Sequence, residues 1–261
     1  MEIWTHRGRF SPYDPGNSLN NFIANYRLGV TGIEMDASFT ADGRIIIYHP
    51  GSTYPDLSKM KWQDINNSIF SVMTLTEFLS LVRSYPKILC CLDLKHNSEK
   101  LVEKIISEIS YRGLQDRIYL TAFDRKLNLS LVSTETSVKM LSHAKKIDET
   151  IKTHLIVSWP SNLPKLVAQY HPDMMSIGWL QEPKLMHIVS FPLFKLFVIT
   201  RLFSHDIKTV QSMGVKVLAG IINDASSMNY FADMGVDGIM TDDAILGMKF
   251  KEEHEKKFCP E

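Results

Sequence analysis

Short apolar, β-rich runs recur along the whole chain, each followed by a longer amphipathic stretch, and this alternation limits the fold more than any other feature. Ile3 to Thr5, Gly32 to Ala37, Arg44 to Tyr48 and Ile88 to Leu94 read as extended pieces in the first half. Ile118 to Ala122, Val138 to Leu141, Met174 to Ile177, Val215 to Gly220 and Gly238 to Met240 follow, with Leu155 to Ser158 and Leu196 to Thr200 as further candidates. Helices are expected from about Ser18 to Leu28, from an N-cap at Thr76, and from Ser98 to Tyr111 with a stop at Gly113. Strands apolar on both faces and separated by helices call for a parallel sheet with right-handed crossovers. With about eight such units, closure into an α/β (β/α)8 barrel, the TIM barrel, is favoured over an open sheet.

At 261 residues, 44% of them hydrophobic, the chain has the size and apolar content of one such barrel. No linker or repeat divides it, so we expect a single domain over residues 1–248 and a solvated charged tail over 249–261. The 29 basic and 29 acidic side chains cancel, which removes the positive field that nucleic-acid binding requires. Any phosphate chemistry must therefore rest on a local site. Cys90 and Cys91 are adjacent in an apolar run and would face opposite ways, and with Cys259 they make an odd count. That is buried filler in a reducing compartment rather than a disulfide framework. The start lacks a signal pattern, and the most apolar stretch, Leu185 to Phe203, is broken by Lys195, Arg201 and Pro192. The expected setting is cytoplasmic, without a transmembrane segment.

Placed on this map, the polar residues share one address. His6 and Arg7 leave the first strand, Glu34 and Asp36 lie near the end of the second, His49 follows the next extended piece, and Asp93 and Lys95 end the third long one. The carboxyl ends of barrel strands are where active sites form. Glu34 and Asp36 are two apart and share a face, with Met35 turned away; Asp93 and Lys95 repeat the pattern around Leu94. Three converging carboxylates repel one another unless a cation joins them, and oxygen-only ligands suit a hard divalent ion, Mg²⁺ or Ca²⁺, with Mn²⁺ also accommodated. Two histidines supply a base and an acid, and Arg7 and Lys95 can neutralise phosphate oxygens. Each piece has a plainer reading alone: a strand-end histidine is commonly structural, and Asp93 with Lys95 can be an ion pair. The seven together, in order at one end of consecutive strands, point to chemistry. His143, His171 and His187 have no such company and read as structural or surface residues; Cys90, Met73, Met174 and Met175 read as core.

At these residues the sequence resembles the glycerophosphodiester phosphodiesterase family. The resemblance is carried by His6-Arg7-Gly8 with Pro15-Gly16-Asn17-Ser18-Leu19 and Phe22, and by Gly32-Ile33-Glu34-Met35-Asp36 through Thr40-Ala41-Asp42-Gly43 to Tyr48-His49. Thr74-Leu75-Thr76-Glu77, Leu92-Asp93-Leu94-Lys95 and the closing Gly235-Val236-Asp237-Gly238-Ile239-Met240-Thr241-Asp242 extend it. The resemblance implies a TIM barrel that hydrolyses small-molecule or polymeric glycerophosphodiesters to glycerol 3-phosphate and an alcohol. It implies Glu34, Asp36 and Asp93 as ligands of one divalent metal, His6 and His49 as base and acid, and Arg7 and Lys95 as phosphate contacts. Four departures stand out. Gly16 replaces the family's Glu, Asp93 replaces a Glu, Gly220-Ile221-Ile222-Asn223 replaces a Trp-Thr-Val-Asn run, and Pro50 to Met73 is a short form of a longer insertion. Two alternatives are a phospholipase-like barrel of the phosphatidylinositol-cleaving or sphingomyelinase D-like kind and a non-catalytic barrel that binds phosphorylated ligands. The first predicts apolar rim residues, for which Phe191-Pro192-Leu193-Phe194 is the one candidate, with burial its simpler explanation.

Overall fold

The computed structural model describes residues 1–52, 55–123, 138–157, 162–178, 192–193, 196 and 203–258. Eight parallel strands close a barrel: β1 (Glu2–Thr5), β2 (Gly32–Phe39), β5 (Leu89–Leu94), β6 (Ile118–Phe123), β7 (Lys152–Val157), β8 (Met174–Ile177), β9 (Lys216–Gly220) and β10 (Gly238–Thr241). Closure is direct, because β1 pairs in parallel with β2 on one side and with β10 on the other. Two short strands, β3 (Ile45–Ile47) and β4 (Met73–Thr74), extend β2 as an antiparallel meander.

Alternation along the strands sorts side chains into two cores. Ile33, Met35, Cys90, Leu92, Leu120 and Ile177 point outward into the large core shared with the helices. Trp4, Cys91, Met174, Leu218 and Met240 point inward and fill the barrel. Cys90 and Cys91 thus lie on opposite faces, both buried and unbridged, as adjacent strand residues must. β3 and the segment that follows it build a small core of their own from Ile46, Tyr48, Leu57 and Ile65.

The helix Leu19–Leu28 starts where Ser18 accepts from the Asn21 N–H and stops at Gly29, in the left-handed conformation at φ 85°. Ser98 caps Glu99–Tyr111 in the same way. Two sequence expectations need correction. The cap of the helix Leu75–Ser84 is Thr74 rather than Thr76: Thr74 and Glu77 form a reciprocal capping box, which fixes the first turn at Leu75. Val138 to Leu141 is not a strand but the approach to the helix Lys139–Ile147, where Leu141 and Ala144 bury at helical spacing. A four-residue apolar run carries too little periodicity to separate the two. The strand of that unit is β7, which begins three residues before the Leu155 to Ser158 candidate. Of Leu196 to Thr200 only Leu196 is described, and Ser158, His187 and Cys259 lie outside the described residues.

The last helix, Ala244–Phe258, runs across the expected boundary after residue 248, with Phe250 buried against the barrel. Among the described residues no helix is long and apolar enough to cross a membrane. His143 lies 3.6 Å from Glu103, and His171 occupies a left-handed C-cap. Of Phe191 to Phe194 only Pro192 and Leu193 are among the described residues, and Leu193 is 43% exposed rather than buried.

Candidate active site

The chain leaves β1 through a tight turn over His6–Gly8 in which Arg7 takes φ 55°. That turn aims the Arg7 N–H at Glu34 Oε2, 2.6 Å away, so the first loop is tied to the second strand through the Glu34 carboxyl. Glu34 and Asp36 project from one face of β2, and register places Asp93 of β5 directly beside Asp36. One oxygen from each of Glu34, Asp36 and Asp93 falls within 4.8 Å of the other two, and all three residues are buried. The backbone of Tyr48 donates to the Asp36 carbonyl at 2.9 Å, and this brings His49 to the same rim.

All seven residues singled out in the sequence meet here. Lys95 Nζ lies 2.8 Å from Asp36 Oδ1 and also bonds Asp93. Arg7 Nε is 3.5 Å from Asp36 Oδ2. His6 Nε2 is 3.9 Å from Glu34 Oε2. His49 is close enough that the charges of Asp36, Lys95, Arg7 and His6 all act on it.

The electrostatics are set by burial and by the crowding of like charges. Burial, reinforced by the charges of Asp36 and Asp93, pushes the Glu34 carboxyl well above the usual range. Burial would push Asp36 up too, but Lys95 and Arg7 outweigh it and hold that carboxyl well below its ordinary value. Lys95 is the converse: burial disfavours its charge, and the carboxylates of Asp36, Asp93 and Glu34 more than restore it. Burial depresses both histidines, His49 to about 4. Glu34 Oε1 is buried and has no hydrogen-bond partner, an uncommon and costly condition. With all three carboxylates ionised, as metal ligands must be, the two cations leave the cluster one positive charge short of neutrality. An all-oxygen donor set, an unsatisfied inward oxygen and a charge deficit together fit a hard divalent cation bound by Glu34, Asp36 and Asp93.

Four polar residues assist, and sequence reading gave none of them a role. Asn17 donates to Asp36 Oδ2 at 2.6 Å and accepts from the Asp36 N–H at 2.9 Å, gripping that residue at two points. Asp242, one residue past β10, accepts from Asn223 at 2.9 Å and Arg9 at 3.0 Å, and is bonded to His6 Nδ1 at 2.8 Å. The signal was present for Asp242: it follows a strand in the position that Lys95 holds after β5.

The departures noted in the sequence take physical form. At Gly16 φ is +78°, and an added Cβ would sit 2.7 Å from the Arg7 carbonyl oxygen. The loop closes there through Asn17 N–H to Arg7 O at 2.7 Å, a turn that leaves no room for a side chain at position 16. Gly220 packs against Met240, and an added Cβ there would fall 2.8 Å from Met240 Cβ. Asn223 of the same run survives and seats Asp242.

Known proteins carry the same arrangement of chain. The model of the glycerophosphoryl diester phosphodiesterase family matches residues 6–246. A glycerophosphodiester phosphodiesterase of Bacillus altitudinis is 23% identical, over 97% of this chain and 98% of that protein. A crystal structure of a glycerophosphodiester phosphodiesterase from Parabacteroides distasonis superposes with a TM-score of 0.74 at 14% identity, covering 99% of this chain and 98% of that one. An Oleispira antarctica phosphodiesterase, solved in complex with the product sn-glycerol-3-phosphate, gives a TM-score of 0.66 at 17% identity over 98% and 97% of the two chains.

Proposed function

Since the chain belongs to the glycerophosphoryl diester phosphodiesterase family and is a phosphoric diester hydrolase, we propose that it cleaves a glycerol-containing phosphodiester to glycerol 3-phosphate and an alcohol by histidine acid–base catalysis assisted by a divalent metal. The observation that carries this reading is the buried triad Glu34, Asp36 and Asp93 flanked by His6, His49, Arg7 and Lys95 on one rim.

In this reading Glu34, Asp36 and Asp93 hold Mg²⁺ or Ca²⁺, with Mn²⁺ a further fit to the same oxygens. When bound, the ion lowers the pKa of the attacking hydroxyl and screens phosphate charge. A divalent ion converts the cluster's single negative excess into a single positive one, matched to a diester monoanion. Arg7 and Lys95 bind non-bridging oxygens and hold the phosphorus between the histidines. One histidine accepts the proton of the attacking glycerol hydroxyl, and the other gives a proton to the departing alcohol oxygen. His49, depressed to about 4 by burial and the neighbouring cations, gains proton affinity when the anionic diester arrives beside it. Water then opens the cyclic phosphate with the roles reversed. The buried unbridged cysteines fit the reducing, cytoplasmic setting.

One observation favours a second, lipid-directed reading. Tyr13 and Ile69 are each 97% exposed in connections that leave the carboxyl ends of strands, and Leu193 and Leu196 lie exposed in another such connection. Apolar side chains on this rim suit a diester whose alcohol carries an acyl chain.

One experiment separates these readings. Turnover of a deacylated and of a mono-acylated glycerophosphodiester is measured with EDTA and after adding back Mg²⁺, Mn²⁺ or Ca²⁺. Activity that EDTA abolishes and one metal restores is expected, and preference for the acylated substrate would select the lipid reading. Metal binding without turnover of either substrate would overturn both and leave the binding-only barrel.

A further inference from the structure

The ring of His6 has two nitrogens with different surroundings. Nε2 faces the carboxylate cluster, 3.9 Å from Glu34 Oε2, on the side where the substrate must lie. Nδ1 turns away from it to Asp242 Oδ1 at 2.8 Å. Asp242 is itself fixed from three sides. Asn223 Nδ2 donates to Oδ2 at 2.9 Å, Asn223 Oδ1 accepts from the Asp242 backbone at 2.8 Å, and Arg9 Nη1 donates to Oδ1 at 3.0 Å. Thr241 Oγ1 donates to the same Asn223 oxygen at 3.0 Å, which fixes the amide in one orientation. These contacts join β1, β9 and β10 where the barrel closes, 236 residues apart in sequence between His6 and Asp242.

We propose that Asp242, seated by Asn223 and Arg9, is the positioning residue that keeps the His6 proton on Nδ1 and so makes His6 Nε2 the base of the reaction, leaving His49 as the acid. The assignment rests on the diesterase reading above for its catalytic meaning, but not for its structural content. An ionised carboxylate only accepts hydrogen bonds, so a neutral imidazole facing it must place its one N–H on Nδ1 and its lone pair on Nε2. In the step itself the glycerol O–H bond breaks as the oxygen–phosphorus bond forms, and the proton passes to Nε2. Both ring nitrogens then carry protons, and Asp242 faces the positive imidazolium it has helped to form. The bond from phosphorus to the alcohol oxygen breaks, and that oxygen takes its proton from His49. Water later returns the balance: its hydroxide adds to phosphorus, its proton goes to His49, and His6 protonates the glycerol oxygen released. The same division of labour holds wherever a buried carboxylate orients a catalytic imidazole.

The test is Asp242→Asn, which keeps shape but can offer an N–H to Nδ1 and so reverse the tautomer. With Mg²⁺ present, ¹⁵N-edited NMR of the His6 ring (assigned by its loss in His6→Ala) is expected to show Nδ1–H in the wild type and Nε2–H in the variant. In parallel kcat should fall roughly 10²-fold or more while KM stays at the wild-type value. Asp242→Glu keeps an acceptor and should retain the wild-type tautomer with part of the lost kcat. Should Asp242→Asn fail to fold, Asn223→Ala loosens the same carboxylate and is expected to broaden or mix the His6 tautomer signals. Retention of Nδ1–H in Asp242→Asn, or a kcat loss with the tautomer unchanged, overturns the proposal. If the wild type turns over no glycerophosphodiester, the tautomer measurement still decides the role of Asp242, separately from the diesterase reading.

Discussion

Strands β1, β2, β5 and β10 bring His6, Glu34, Asp36, Asp93, Lys95 and Asp242 to one rim, whereas β6, β7 and β8, with β9 beside them, turn Thr121, His154 and Ser176 toward the same interior. Both halves are polar, and both are buried. They differ in completeness. In the neutral half His154 bonds Thr121 Oγ1 through Nδ1 at 3.0 Å and Ser176 Oγ through Nε2 at 2.7 Å, so both ring nitrogens are used. In the charged half Glu34 Oε1 has no hydrogen-bond partner, and its carboxyl is forced up by burial and by Asp36 and Asp93. A satisfied polar cluster specifies packing, and an unsatisfied one is held open for something that arrives. A histidine in this barrel is therefore sorted by its partners rather than by its burial.

The largest break in that comparison should come from the histidines. His6→Ala or His49→Ala is expected to lower turnover by roughly 10² to 10⁴-fold with the thermal midpoint close to wild type. His154→Gln, on the complete side, should leave kcat near wild type. Equal losses from His154→Gln and His6→Ala would erase the distinction between the halves.

The sequence disclosed the charged half better than the neutral one. Glu34 with Asp36 and Asp93 with Lys95 show the two-residue spacing of one strand face, and His6, Arg7 and His49 follow directly on extended runs, so strand geometry sends them to one rim. Asp242 and Asn17 escaped because their work depends on who stands opposite them. Asn17 reaches Asp36 across 19 positions and Asp242 reaches His6 across 236, distances that no local pattern spans. His154 was passed over for a related reason, since a lone histidine between Thr153 and Leu155 advertises neither Thr121 nor Ser176. Fold errors arose where signals were short: Val138 to Leu141 looked extended until its continuation through Ala144 set a helical face.

A smaller effect should follow from closing the space in the neutral half. Gly178 follows β8, and an added Cβ would lie 2.3 Å from the backbone oxygen of Gly220, an atom that cannot swing aside. Gly178→Ala should therefore cost roughly 1–3 kcal/mol of stability by overpacking, read as a lower denaturant midpoint at unchanged slope. An unchanged midpoint would mean that the residues after β8 yield, and that the interior there is less closely packed than the charged rim.

The gentlest change, read one pH unit at a time, is the most diagnostic of a complete cluster. Burial alone depresses His154 to about 3 from an ordinary 6.5. Between those values the unfolded chain binds a proton that the folded chain refuses, so acid favours unfolding. Stability should thus fall as pH drops from about 6.5 toward 3, with His154 contributing up to about 1.4 kcal/mol per pH unit. Gln keeps hydrogen-bonding capacity without a titrating proton, so His154→Gln should flatten the curve of unfolding free energy against pH over that window. The comparison of wild type with variant isolates this residue from His6 and His49, which stay in both. Parallel curves would show that the interior admits the charged imidazolium. The neutral half would then resemble the charged half in needing a counter-ion, and Thr121 and Ser176 would no longer suffice to explain why His154 is there.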